Sequence, residues 1–176
     1  FWADLYTHNW AEDSKPLYDT WKYLYKVIVF SNDGLSTIKR HKQLLTDEQY
    51  KTYKAEIRAI RALYYYYLMD MFGNIPLVTT VNEDTENAEQ ASRPEVYKFI
   101  VKELQEVAPL LPTGHSNHAG VYYGRVTRSV ANFLLAKLML NGEVYSDANW
   151  TDNQRPDGRQ TYFTVDGQQM NIWQAC

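Results

Sequence analysis

The chain has 176 residues, a length suited to one domain around one buried core. Its 18 Lys+Arg stand against 21 Asp+Glu, a formal net charge of −3, so it lacks the basic excess that draws a protein to phosphate, and no nucleic acid partner is expected. No stretch approaches the roughly 18 apolar residues of a membrane span, and the single cysteine, Cys176, cannot close an intrachain disulfide.

The chain opens at Phe1-Trp2 without Met, signal sequence or lipidation cysteine, and Asn171 to Cys176 reads as the first turn of an apolar helix. Both ends are those expected of a chain cut from a longer one. The 15 Tyr, 6 Phe and 5 Trp suit both a helical core and a wet binding surface, because Tyr and Trp pair a large apolar face with a polar handle.

The spacing of Leu17, Trp21, Leu24, Ile28, Leu35 and Ile38, interrupted by Ser31, predicts a first helix over about 16–42. Gly34 lies inside it, a small residue that would let a neighbour approach closely. Thr46-Asp47-Glu48-Gln49 has the form of a capping box and starts a second helix over 47–72. Two apolar stripes run along that helix, Tyr53, Ile57, Ile60, Tyr64, Tyr67, Met71 and Ala55, Ala59, Ala62, Tyr66, Met69, so it is expected between neighbours on both sides. Lys54, Arg58, Arg61 and Tyr65 form its polar stripe, and the two arginines need carboxylate or carbonyl partners.

Gly73 and Pro76 end the second helix, and Leu77 to Val81 reads as extended. Asn82 to Ala91 is an acidic loop. Ser92-Arg93-Pro94-Glu95 makes another capping box, opening a third helix over 93–111. After a polar loop, Thr127 is placed to cap a fourth helix over 127–145, with Ala131, Leu135, Leu138 and Tyr145 on its inner face. Thr161 to Met170 around Asp166-Gly167 fits a small hairpin, and a further helix starts near 171. The expected fold is all-α, with amphipathic helix pairs in a layered stack, long loops and one small hairpin.

Ala55 to Val78, with its Ala55-Glu56, Arg58, Arg61-Ala62, tyrosine run and Phe72-Gly73-Asn74-Ile75-Pro76-Leu77, closely resembles the hallmark helix and turn of the SusD/RagB family. Further blocks fall in family order: Trp21, Tyr25, Ile28 and Asn32 before it; Arg93, Glu95, Val96 and Tyr97 after it; then Gly124-Arg125 to Ala131, and Leu135 to Asn141. The resemblance spans about Trp10 to Tyr145 and implies tetratricopeptide-like helix pairs, of which residues 1–176 form a partial domain. It implies a surface-exposed lipoprotein of the cell outer membrane, held to the membrane only through a lipid anchor absent from this chain. Such proteins cover a SusC-like TonB-dependent transporter and capture oligosaccharides or polysaccharides, or peptides in some branches; a helical scaffold that only docks protein is the other alternative.

The family's glycan sites are arcs of Trp and Tyr flanked by amides and charges, because sugar ring faces stack on aromatics while hydroxyls need fixed donors and acceptors. The resemblance places part of such an arc near the N-terminus, where Trp2, Asp4 and Tyr6 are the candidate ligand contacts, with Trp10 expected to pack in front of the first helix. Tyr64 to Tyr67 point about 100° apart in succession and cannot form one platform. His115 and His118 have no third ligand nearby in sequence, so no metal is expected, and Asp152 to Gly158 lacks the alternating ligands of a calcium loop. No nucleophile elbow, phosphate loop or cysteine-histidine set is present, and neither an enzyme nor a cofactor is expected.

Overall fold

The computed structural model describes residues 4, 6–11, 13–81, 88–165 and 167–176. Trp2, Asn82 to Asn87 of the acidic loop, and Asp166 of the hairpin turn lie outside them. Among the described residues the long helices are α1 (Lys15–Arg40), α2 (Asp47–Phe72), α3 (Arg93–Val107) and α4 (Arg128–Leu140), with short helices α5 (Gly142–Tyr145) and α6 (Ile172–Ala175). The strands are short: β1 (Ile75–Pro76) pairs antiparallel with β2 (Gln90–Ala91), and β3 (Tyr162–Val165) with β4 (Gln168–Asn171). The fold is all-α with one small hairpin. Each long helix packs on its neighbour in sequence, giving the tetratricopeptide-like layered arrangement.

Local chemistry explains where α2 and α3 begin. The Gln49 amide donates to Thr46 Oγ1 at 3.1 Å while the Thr46 amide donates to Gln49 Oε1 at 2.9 Å, satisfying two orphan donors at once. Ser92 and Glu95 form the same reciprocal pair at the head of α3. At the other end of α2, Gly73 takes φ 74° and ψ −104°, a conformation open to glycine and strained for other residues. Its amide closes the helix on the Met69 carbonyl at 2.9 Å.

The fourth helix differs from its expected form. Its ladder breaks at Asn141, whose amide bonds the Lys137 carbonyl, and a separate turn, α5, follows. Thr127 occupies the N-cap position, yet its buried hydroxyl has no hydrogen-bond partner among the described residues. Arg128 instead turns back to donate to the Ala108 and Pro109 carbonyls at 3.0 and 2.7 Å, covering the end of the 3₁₀ turn (Ala108–Leu110) that follows α3.

The core runs through all four layers, with Ile28, Tyr65, Leu68, Ile100, Leu104 and Leu138 fully buried. Aromatic edges join the layers: Trp21 meets Phe72 at 5.0 Å between ring centroids, and Tyr65 meets Phe99 at 5.5 Å. The Tyr97 hydroxyl donates to the Leu138 carbonyl at 3.2 Å, joining α3 to α4. Gly142 permits the closest approach in this region. A Cβ there would stand 2.5 Å from Ile172 Cδ1 and 2.8 Å from the Tyr97 hydroxyl, so any other residue would force one of these side chains to shift where α6 closes onto the core.

The central helix is sandwiched between α1 and α3 as expected, and its second stripe, Ala55, Ala59, Ala62, Tyr66 and Met69, is buried, but the first stripe gives way in part to the polar one. Tyr53, Tyr67 and Met71 of the first apolar stripe are exposed, while Arg61 and Tyr65 of the polar stripe are 5 % and 0 % exposed. The cause is a buried ionic network. Arg61 Nη2 donates to Glu103 Oε2 at 2.8 Å, Arg58 Nη2 to Glu103 Oε1 at 2.6 Å, and Arg61 Nη1 to Asn32 Oδ1 at 2.8 Å. Arg61 also donates to the Thr79 carbonyl at 2.9 Å. These bonds draw the polar stripe inward against α3 and α1.

The same network holds the chain after α2. Tyr65 donates its hydroxyl to the Val78 carbonyl at 2.6 Å and accepts from the Val78 amide at 2.8 Å. Asn32 Nδ2 reaches the same carbonyl at 3.0 Å, and the Tyr25 hydroxyl donates to the Pro76 carbonyl at 2.7 Å. Thus residues 75–79 are clipped across α1 and α2 by side chains, and pairing with a neighbouring strand is confined to Ile75 and Pro76.

Gly34 is not required for close approach: a Cβ there would meet Ile57 Cδ1 at 3.5 Å, ordinary van der Waals contact. Gly34→Ala is therefore expected to stabilise the protein by about 0.5–1 kcal/mol, the helix-interior advantage of alanine, read as a higher urea midpoint.

Burial pushes the Glu103 carboxyl up, and hydrogen bonds and charge from Arg58 and Arg61 more than reverse this, holding it below its ordinary value of 4.5. A carboxylate depressed in the folded state contributes its stability above the unfolded value and loses it as pH falls through the folded one. Glu103→Gln should cost about 3–5 kcal/mol at neutral pH by leaving Arg61 without its counter-charge. Urea titrations at stepped pH should then show a stability decline below pH 4.5 in the parent that is shallower in the variant.

Candidate functional site

The segment before α1 contains the residues that the N-terminal aromatic pattern singles out. Pro16 in the first turn fixes where α1 begins. The Asn9 amide donates to the Asp4 carbonyl at 2.9 Å, and His8 takes a left-handed φ of 55°. This tight turn folds the segment back, setting the His8 ring against Trp10 at 5.3 Å and 54°.

The turn creates an open depression of about 290 Å³ whose lining includes Asp4, Asn9, Trp10, Asp13 and Lys15. It offers an indole face, an amide, two carboxylates and an ammonium group. Lys15 is also paired with Asp19 one turn along α1. The combination suits a sugar chemically: an apolar ring face can lie on the indole while hydroxyls meet donors and acceptors.

Of the candidates, Asp4 is exposed on the wall of this depression. Tyr6 is 86 % exposed and stands outside its lining, and Trp2 lies outside the described residues. Trp10, expected to pack in front of α1, is 48 % exposed and shares the depression with Asp4. The polar run Asn9 to Ser14 around it, without apolar partners at helical spacing, is the sequence signal that could have marked it as a surface residue.

Other side chains weighed for chemistry sit elsewhere. Tyr65 and Tyr66 are buried, Tyr64 is half-buried and Tyr67 is exposed. His115 and His118 stack edge to face at 5.6 Å, and among the described residues no group of three or more His, Cys, Asp or Glu is arranged to hold a metal ion. In the 152–158 segment, Asp152 Oδ1 accepts from the Gln154 amide at 2.8 Å and Glu143 Oε1 from the Gly158 amide at 2.8 Å. Both carboxylates shape turns in this loop.

A layered helical fold with an arginine-bearing central helix and a Phe-Gly-Asn-Ile-Pro-Leu turn defines the class. Residues 1–140 match the SusD-like family, described as starch-binding and associating with the outer membrane, and the chain belongs to that family. It is 31 % identical over 108 residues to the starch-binding protein SusD of Bacteroides thetaiotaomicron, covering 58 % of this chain and 17 % of SusD.

A SusD-like carbohydrate-binding protein of Bacteroides fragilis shares the fold with a TM-score of 0.67 at 28 % identity, over 78 % of this chain and 27 % of its own. Surface glycan-binding protein A of Bacteroides uniformis gives 0.70 at 28 % identity, over 81 % and 32 %. A laminarin-binding SusD-like protein gives 0.60 at 28 % identity, over 72 % and 27 %. The chain thus spans less than a third of the length of these relatives.

Proposed function

We propose that the whole protein is a non-catalytic, surface-exposed outer-membrane lipoprotein that captures oligosaccharides or polysaccharides for a SusC-like TonB-dependent transporter, with residues 1–176 as part of its helical domain. The observation that carries this reading is the SusD-like match over residues 1–140, together with structural relatives whose own names are those of carbohydrate-binding and glycan-binding proteins. Trp2, Asp4 and Tyr6 are proposed as ligand contacts, and Trp10 joins them because it shares a depression with Asp4.

The chemistry agrees with capture. The depression is open, so one stretch of a long polymer can lie in it while the rest passes on. Three of the ion pairs, Arg58 and Arg61 with Glu103, and Arg125 with Glu56, join helices or a loop to a helix within the stack. These pairs are committed to the fold. Tyr23 and Phe30 stand exposed on one face of α1, which supports docking of the stack to another protein.

Affinity electrophoresis of the whole protein through gels containing starch, laminarin or other soluble polysaccharides tests the proposal. Retardation by one glycan is expected, weakened by Trp2→Ala or Trp10→Ala, with no reducing sugar released on incubation. Migration unaffected by every glycan would overturn capture of sugars in favour of a peptide ligand, and sugar release would overturn the non-catalytic assignment.

A further inference from the structure

Resting on the glycan-capture reading, we propose that Trp150, Gln90 and Asn74 form a second sugar-stacking subsite at the C-terminal end of α2, separate from the N-terminal depression. These residues share an open depression of about 370 Å³ whose lining also includes Gly73, Arg93 and Asp147. It shares no lining residue with the one around Asp4 and Trp10. Trp150 also lies outside residues 1–140, the stretch matched by the family.

Trp150 is 69 % exposed. An exposed aromatic by itself needs no explanation, but this one stands on a loop braced from both sides. Asp147 is 6 % exposed, and its carboxylate accepts from the Asn149 amide at 2.9 Å and from Arg155 Nη1 at 2.8 Å. Its carbonyl accepts from Arg93 Nη2 at 2.9 Å, fastening the loop to the head of α3. Directly across Trp150, the Thr151 hydroxyl donates to Asn149 Oδ1 at 2.6 Å, and Asn149 Nδ2 donates to Asp152 at 3.3 Å. The loop therefore presents the indole with little backbone freedom left to lose on binding. Among the described residues the ring makes neither a hydrogen bond nor an aromatic contact.

The groups sharing the depression are the ones a sugar requires. Gln90 is exposed, and its amide has no hydrogen-bond partner among the described residues. Asn74 spends its oxygen on the Arg93 amide at 2.9 Å, which orients the side chain and leaves Nδ2 as a donor. A pyranose has an apolar C–H face and a rim of hydroxyls, each both donor and acceptor. The indole takes the face, and the two amides supply the donors and acceptor for the rim. The position of Asn74 follows from Gly73, whose positive φ turns the chain at the end of α2, and Gln90 is placed by the pairing of β2 with β1.

The test is affinity electrophoresis of the whole protein on the glycan that retards the parent, with Trp150→Ala, Trp150→Phe and Gln90→Ala alongside Trp2→Ala. Trp150→Ala should weaken retention about tenfold, the scale of one aromatic stacking contact, with Trp150→Phe losing less. Gln90→Ala should weaken it about threefold, the scale of one hydrogen bond. Circular dichroism and the melting midpoint should stay unchanged, since the ring packs on little. Saturating glycan should also change parent tryptophan fluorescence by a component missing from Trp150→Phe. Retention of Trp150→Ala equal to the parent overturns the subsite and leaves capture standing; a parent retarded by no glycan overturns both.

Discussion

The position of one carboxylate governs much of this structure. Glu103 lies on α3 facing two arginines of α2, and its desolvation is tolerable only while both remain in place. Sliding α2 along α3 by one turn would carry the guanidinium groups about 5 Å away, so the ion cluster fixes the register of the central pair as well as its contact. Asn32 extends that constraint into α1 by taking the other side of Arg61. Three helices and the segment leaving α2 therefore converge on one small polar centre inside an otherwise apolar stack.

Much of the helical architecture was legible because it depends on neighbours in sequence. The Thr46 and Ser92 boxes are four-residue devices whose partners are adjacent, and Gly73 with Pro76 stops α2 by local geometry. The need of Arg58 and Arg61 for partners was also legible from their setting on an apolar helix. Their shared partner was not, since Glu103 is one of 21 acidic residues and only the packing of α3 brings it within 3 Å. The partial exposure of the first apolar stripe of α2, beside a second stripe that is buried as expected, has the same origin. When a helix is apolar around most of its circumference, hydrophobicity cannot rank its faces, and the buried charge decides. Thr127 shows a smaller version: the residue type and position suit a cap, but its side chain is enclosed where it cannot reach one.

The candidate binding residues were less legible. A loop has no period, so neighbours in sequence do not reveal which side chains converge. Aromatic identity does not help, because tyrosines serve both roles in this chain: Tyr65 is 0 % exposed and Tyr6 is 86 % exposed. Trp10 and Trp150 are set by turns, the first by the return of the chain on Asp4 and the second by the hydrogen-bonded brace around Asp147. Both braces use short polar residues whose importance emerges only when their partners are known.

The clip on Val78 bears on how the molecule moves. Its amide and carbonyl are both bonded to the hydroxyl of Tyr65, a residue fully enclosed between α1 and α3. A backbone amide bonded to a strand edge can exchange with solvent when that edge frays, but this one can do so only when the helical layers part. At Val78, a backbone that looks like surface loop in its shape is thus tied to the opening of the helical layers.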